Sequence, residues 1–348
     1  MNEKIYIISD IEMGNGEITD DFSDDLILTQ FIESIKSTND EKITLILNGD
    51  TFDFLKMPYL NSHPRYITEK ISLWKLDQVF NNHPLVFRAL KNFLQKSNHR
   101  IHFIIGNHDA DLIWPALQEK LQSRLSGKKR VTFGFNYKNH NLHVEHGHME
   151  DPFFSINKKT PITKYRDLQI LNLPWGAQAC FSHLIKIKKQ FPKEECLYPK
   201  TLALKQNPTF NAMSKKTGTN LFLKSLLLEP IIHPSDPTYR IPYLKFLKHF
   251  LHFGFNVVDD KKLLKAWSKK IIKNNPTDEL FILGHAHVLT DTQMKGKRII
   301  ITDTWRDEFN LLRNKEKKPK TYAHIHLAGG QLIEASLNLY NPNQAENP

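Results

Sequence analysis

ITLILNGDTFD, residues 43–53, decides the fold of this chain. The almost unbroken apolar run 43–48 reads as a buried strand. It stops at Gly49-Asp50, and a second acid, Asp53, follows three residues on. Ligand sites in α/β sheets lie beyond strand C-termini, so this ending is a place to look for chemistry. Working outward, the pattern recurs. KIYIIS (4–9) runs into Asp10-Ile11-Glu12, and IHFII (101–105) into Gly106-Asn107-His108-Asp109. NLHVE (141–145) leads to His146-Gly147-His148, and LFIL (280–283) to Gly284-His285-Ala286-His287. Helical spacing in 24–36 (Leu26, Ile27, Phe31, Ile32, Ile35) and a mostly helical 79–95 separate the first three strands. Strand–helix alternation predicts an α/β fold. Residues 131–135 predict a strand joined to 141–145 by an Asn-rich turn, 298–304 a further strand, and 321–327 with 331–339 a hairpin across Gly329-Gly330.

Composition narrows the class. The 348 residues are 40% hydrophobic and 24% charged, which excludes wholesale disorder and coiled coil. Two cysteines, Cys180 and Cys196, exclude a disulfide scaffold and a cysteine-built zinc ribbon. No apolar run approaches the roughly 18 residues of a membrane span, and MNEKIYIISD does not read as a secretory signal; the expectation is a cytoplasmic protein. Lys+Arg exceed Asp+Glu by 48 to 37, a net +11 that favours anionic partners without naming one. Residues 151–261 carry about twice as many Lys and Arg as Asp and Glu and are broken by prolines. They read as a basic, mostly helical cap inserted into a core formed by 1–150 and 262–348.

Five strand-end loops bearing Asp, Asn and His suggest a metal site. Divalent cations need oxygen and imidazole ligands converging from rigid supports. Each loop alone is weak: Gly-Asp is usually a turn, and His-x-His is usually surface or core. Their joint occurrence, each after a strand, carries the signal.

These motifs resemble those of the calcineurin-like metallophosphoesterase superfamily, D-x-H, G-D-x-x-D, G-N-H-[DE], H-G and G-H-x-H, over residues 5–150 and 262–340. The resemblance implies a four-layer α/β sandwich of two mixed β-sheets flanked by helices. It also implies two divalent ions, Mn²⁺ foremost, with Mg²⁺, Fe²⁺ or Zn²⁺ as alternatives. Asp10, Glu12, Asp50 and His287 would hold the first ion; Asp50, Asn107, His146 and His285 the second. His108 would assist catalysis, Asp109 would orient its ring, and Asp53 would support the site. His148 is a reserve candidate. The ions would bind phosphate oxygens and acidify a water that attacks phosphorus. Glu12 departs from the pattern: it stands where the family has histidine.

The cap resembles that of UDP-2,3-diacylglucosamine hydrolases, which implies pyrophosphate cleavage on a nucleotide-linked lipid. Residues 243–255 place Tyr243, Phe246, Leu247, Phe250 and Leu251 on one helical face, an acyl wall or a peripheral contact with the inner face of a membrane. Packing on the core is the plainer reading of that face. The expected partner is a phosphorylated small molecule or lipid-linked substrate. Nucleic acid, for a nuclease of the same superfamily, comes second. A non-catalytic phosphate-ligand binder that lost its first metal through Glu12 is the remaining alternative.

Overall fold

Alternate side chains along a strand face opposite ways, and β2 (Lys42–Asn48) shows what that builds here. Ile43, Leu45 and Leu47 join one buried cluster with the helices, while Ile46 joins another between the sheets. The computed structural model describes residues 2–35, 41–241, 243–244, 246 and 260–342. Strands β1 (Asn2–Ile8), β2, β3 (His99–Ile104) and β4 (Val131–Gly134) run parallel. Then come β5 (Asn136–Asn139), β6 (Leu142–Glu145), β7 (Ile162–Tyr165), β8 (Leu168–Leu171), β9 (Leu197–Tyr198), β10 (Leu280–Leu283), β11 (Leu289–Met294) and β12 (Lys297–Thr302). The last are β13 (Phe309–Asn310), β14 (Glu316–Lys317), β15 (Thr321–Ala328) and β16 (Gln331–Leu339).

Two mixed sheets result, ordered β16-β15-β1-β2-β3-β4 and β11-β12-β10-β6-β5. Ile5, Ile7, Ile46 and Ile104 of the first sheet pack with Leu142, Val144, Ile282 and Ile300 of the second. Helices α1 (Asp25–Ser34), α2 (Glu69–Asn82), α3 (Pro84–Phe93) and α4 (Pro115–Arg124) cover the outer face of the first sheet. The helix Asp260–Asn274 covers the second, setting Leu264, Ile271 and Ile272 on Phe281, Leu283, Ile299 and Ile301. Helix, sheet, sheet, helix is the four-layer α/β sandwich that the family resemblance implied.

Local differences have local causes. The expected helix 79–95 is two helices, because Pro84 cannot continue α2 and instead opens α3 at its first position. The expected hairpin between 131–135 and 141–145 is not formed. Strand β4 stays in the first sheet, the chain crosses at Phe135, and β5 pairs with β6 in the second. The β15–β16 hairpin forms as read, with Gly329 and Gly330 both at positive φ. Between β6 and β10 lie the β7–β8 hairpin, a set of short helices, and β9, which pairs with β13 of the later chain. Of the stretch 243–255, only residues 243, 244 and 246 are described; Phe246 is buried against Phe153 and Trp175. The remaining positions of that predicted apolar face lie outside the described residues. No described helix is long and apolar enough to cross a membrane.

Candidate metal centre

All five loops meet at the C-terminal ends of β1, β2, β3, β6 and β10. The turns are tight. Asp10, Glu12, Asp50, His285 and His287 all sit at positive φ. A residue with a Cβ pays on the order of 1 kcal/mol or more for that conformation, and such strain gathers at functional sites. Backbone bonds hold the loops there: Glu12 N–H donates to Asp50 O at 2.8 Å, and Asp10 N–H to Gly49 O at 3.2 Å. Gly106 is required by space, since a Cβ there would lie 2.1 Å from Asp50 Oδ1.

The second predicted position is assembled. His146 Nδ1–H donates to the Asn48 carbonyl at 2.9 Å, which turns Nε2 toward Asp50 Oδ2 (3.0 Å) and Asn107 Oδ1 (3.2 Å). Asp50, His146 and His285 offer ligand atoms within 4.8 Å of one another. An imidazole lone pair, an amide oxygen and a carboxylate facing one another repel unless a cation lies between them. Without metal that cation is a proton: burial would lower His146, but Asp50 and Asp10 push it up to about 10. Burial would raise Asp50, and His146 with His108 holds it well below the usual carboxylate range. Among the described residues no lysine or arginine pairs with Asp50, Asn107, His146 or His285. Neighbouring His148 is buried, and neither of its ring nitrogens meets a hydrogen-bond partner there. Burial and the charges of His146 and His285 drive its basicity down, so it stays neutral. These donors, mixed N and O, fit a divalent ion of the Mn²⁺, Fe²⁺ or Zn²⁺ kind.

The first predicted position is different. His287 Nδ1–H donates to Glu308 Oε1 at 2.9 Å, and Nε2 meets Asp10 Oδ1 at 3.2 Å. Glu12, expected as a ligand, is saturated by cations of the protein itself. Lys56 Nζ lies 2.7 Å from Oε2, and Arg306 Nη1 lies 3.2 and 3.3 Å from the two oxygens. Burial would raise Glu12, but Arg306 and Lys56 hold it well below the ordinary glutamate range. Glu12, Asp53 and His108 do offer ligand atoms within 4.8 Å of one another, but Lys56 and Arg306 set two fixed positive charges against that carboxylate, so the residues present there do not fit a metal ion.

His108 stands beside both positions. Its Nδ1–H donates to Asp53 Oδ1 at 2.8 Å, and its backbone N–H to Asp50 Oδ1 at 2.8 Å. Burial would lower its basicity; Glu12, Asp50 and Asp53 push it up to about 9. Asp53 therefore orients the ring, in place of the expected Asp109. Asp109 is directed inward by two backbone donors, Gly106 N–H at 2.6 Å and Thr51 N–H at 2.7 Å. Burial and the Asp50 charge raise Asp109 to about 7. Its place is in shaping the loops around Asp50.

Several site residues escaped the motif reading: Lys56, Arg306, Glu308, Asp21, Lys188 and Glu195. One signal was present. Asp303-Thr304-Trp305-Arg306-Asp307-Glu308 is itself a charged loop after an apolar strand, β12.

No family model matches the chain, and no curated protein sequence matches it. Among solved structures it is similar to a conserved protein from Streptococcus pneumoniae described as a predicted phosphoesterase, with 9% identity over 99% of this chain and 91% of that one, TM-score 0.32. It is also similar to a Staphylococcus aureus protein provisionally named a 5′-nucleotidase, with 12% identity over 97% of this chain and 54% of that one, TM-score 0.34. The chain thus spans about half the length of that protein. A third is the phosphopantetheinyl hydrolase of Mycobacterium tuberculosis, with 12% identity over 87% of this chain and 89% of that one, TM-score 0.27. These likenesses are too shallow to assign a function. The layered sheets and the order of the strand-end loops are those that the resemblance to calcineurin-like metallophosphoesterases implied.

Proposed function

We propose that the protein is a metal-dependent phosphoesterase. The observation that carries this reading is the convergence of Asp50, Asn107, His146 and His285 on one point with a carboxylate-oriented imidazole, His108, beside it. A divalent ion held by those four residues would supply Lewis acidity toward a phosphoryl oxygen and lower the pKa of water. The chain's own groups do the rest. Asn48 fixes the His146 ring, and Asp53 fixes His108, which lines a cavity beside the site. Hydrolysis adds water to phosphorus and breaks the P–O ester bond. The departing oxygen needs a proton, and His108, oriented by Asp53, is placed to give it.

A cavity of about 160 Å³ beside His108 is lined by Lys56, Lys188, Glu195 and Arg306 and by the apolar Leu55, Phe154 and Ile185. It falls below the roughly 300 Å³ of a drug-sized site, which suits the phosphoryl end of a substrate. A second cavity of about 210 Å³ shares Leu184, Lys188 and Glu195 with it and adds Phe191 and Phe210. That supports a substrate with an apolar portion leading away from the phosphate, and the lipid-linked substrate is kept as the specific form of this reading. Residues 151–261 would then act as the cap that walls both cavities.

The test is turnover of bis(p-nitrophenyl) phosphate and p-nitrophenyl phosphate by the full chain supplied with Mn²⁺. We expect metal-dependent release of p-nitrophenol, and its loss by at least about 10³-fold in Asp50→Asn. Equal rates in the variant would overturn the assignment.

A further inference from the structure

We infer that this centre takes a single divalent ion, at the Asp50–Asn107–His146–His285 position, and that the Arg306 guanidinium with the Lys56 ammonium occupies the electrostatic place of a second. The inference rests on the metal-dependent reading above and sharpens it.

The case starts with Glu12. A carboxylate oxygen can accept a hydrogen bond and still ligate a metal, so what matters is the charge of its donors. Here both oxygens meet fixed cations: Oε2 meets Lys56 at 2.7 Å and Arg306 at 3.3 Å, Oε1 meets Arg306 at 3.2 Å. Neither cation can easily withdraw. Lys56 Nζ is also held by Asp21 (2.8 Å), Asp53 (3.0 Å) and Glu195 (3.1 Å). Arg306 is also held by Glu308, with Nη2 2.9 Å from Oε1. An ion bonded to Glu12 would share its carboxylate with two fixed positive charges. In a site screened from water, that repulsion is large. The four residues of the other position face no such charge.

The remaining first-position residues are also committed. His287 spans Glu308 and Asp10 with its two nitrogens. Asp10 Oδ2 accepts from the backbone N–H of His285 at 3.1 Å and from Ser9 Oγ. Arg306, Lys56 and His108 line the same cavity, so the fixed charge borders the space a phosphoryl group would enter. Two positive groups are thus retained around that space, one exchangeable and one built into the chain. The histidine-to-glutamate change at position 12 and the arginine at position 306 form one unit: glutamate without the two cations would add uncompensated negative charge, and the cations beside histidine would repel metal.

The test is metal stoichiometry and spin state. The full chain is loaded with Mn²⁺, desalted, and assayed by elemental mass spectrometry and by electron paramagnetic resonance. We expect one ion per chain and the six-line spectrum of isolated Mn²⁺. His146→Ala should lose the ion, and His287→Ala should keep it. Glu12→His combined with Lys56→Met and Arg306→Met should raise the content toward two. Two ions in the native chain with an exchange-coupled spectrum would overturn the single-ion inference and leave phosphoester hydrolysis standing. One ion lost in His287→Ala but kept in His146→Ala would also overturn it. No bound ion at all would sink both readings. The native-chain measurements decide the matter whether or not the triple variant folds.

Discussion

Replacing Lys56 by methionine tests the buried charge cluster most directly. Methionine keeps most of the apolar stem and removes the ammonium, so the loss is chiefly electrostatic. The Lys56 amine touches four carboxylates at 2.7–3.1 Å, and its side chain is 8% exposed. Breaking a buried ion pair from one side costs roughly 3–5 kcal/mol. Three of the four acids keep another cation: Lys188 still holds Asp21 and Glu195, and Arg306 still holds Glu12. Asp53 keeps His108. The expected loss is therefore at the low end, about 3 kcal/mol at pH 7. Urea unfolding should show a lower midpoint at unchanged slope. The sign with pH follows from the acids. Burial would raise Glu12 and Asp21, but their cations hold both well below the ordinary range. The stability they confer is present above the unfolded value of about 4 and is lost as pH falls toward their depressed folded values. The gap between native chain and variant should thus be widest near neutrality and close below about pH 4. A loss under about 1 kcal/mol at pH 7, or a gap unchanged in acid, would refute the reasoning.

Other perturbations follow the same geometry. Asp53→Asn should lower phosphodiester turnover by about 10²-fold, with bound Mn²⁺ unchanged by elemental analysis, because His108 loses the carboxylate that orients it. Gly106→Ala forces a methyl against Asp50 and should cost about 2 kcal/mol or more in unfolding, and weaken Mn²⁺ binding by calorimetry. His83 lies between Asp25 (2.7 Å) and Asp20 (3.5 Å); burial would lower it, but the two acids push it up to about 9. The stability it contributes is complete below the unfolded value of about 6.5 and disappears as pH rises through 9. His83→Gln should therefore cost on the order of 3 kcal/mol at pH 6 and far less at pH 9.5, read from unfolding curves at the two pH values.

The strand-end loops were legible because each joins a local signal, an apolar run, to a local consequence, a sharp polar turn. Asp50, Asn107, His146 and His285, grouped through the family resemblance, lie together. The charges that decide the first position were not legible, because nothing local marks them. Arg306 lies 294 residues from Glu12, and Lys188 lies 167 from Asp21. In sequence they are ordinary basic residues; only folding makes them buried partners. The orientation of His108 failed for a related reason. Adjacency favoured Asp109, but the loop turns that side chain toward backbone amides, and Asp53, 55 residues earlier, takes the ring. Strand β11 escaped because it is a polar edge strand without alternation.

Lys188 and Glu195, both from the stretch between β6 and β10, reach into the acids and bases beneath His108, and β9 of that stretch pairs with β13. Charge balance beneath His108 is therefore shared between that stretch and the loops at the strand ends. Such a stretch cannot be exchanged as an independent module: a graft from another protein would arrive without Lys188, one of the two lysines that hold Asp21. New substrate preferences would have to emerge by piecemeal change of residues such as Leu184 or Phe191, with the ionic anchor inherited intact.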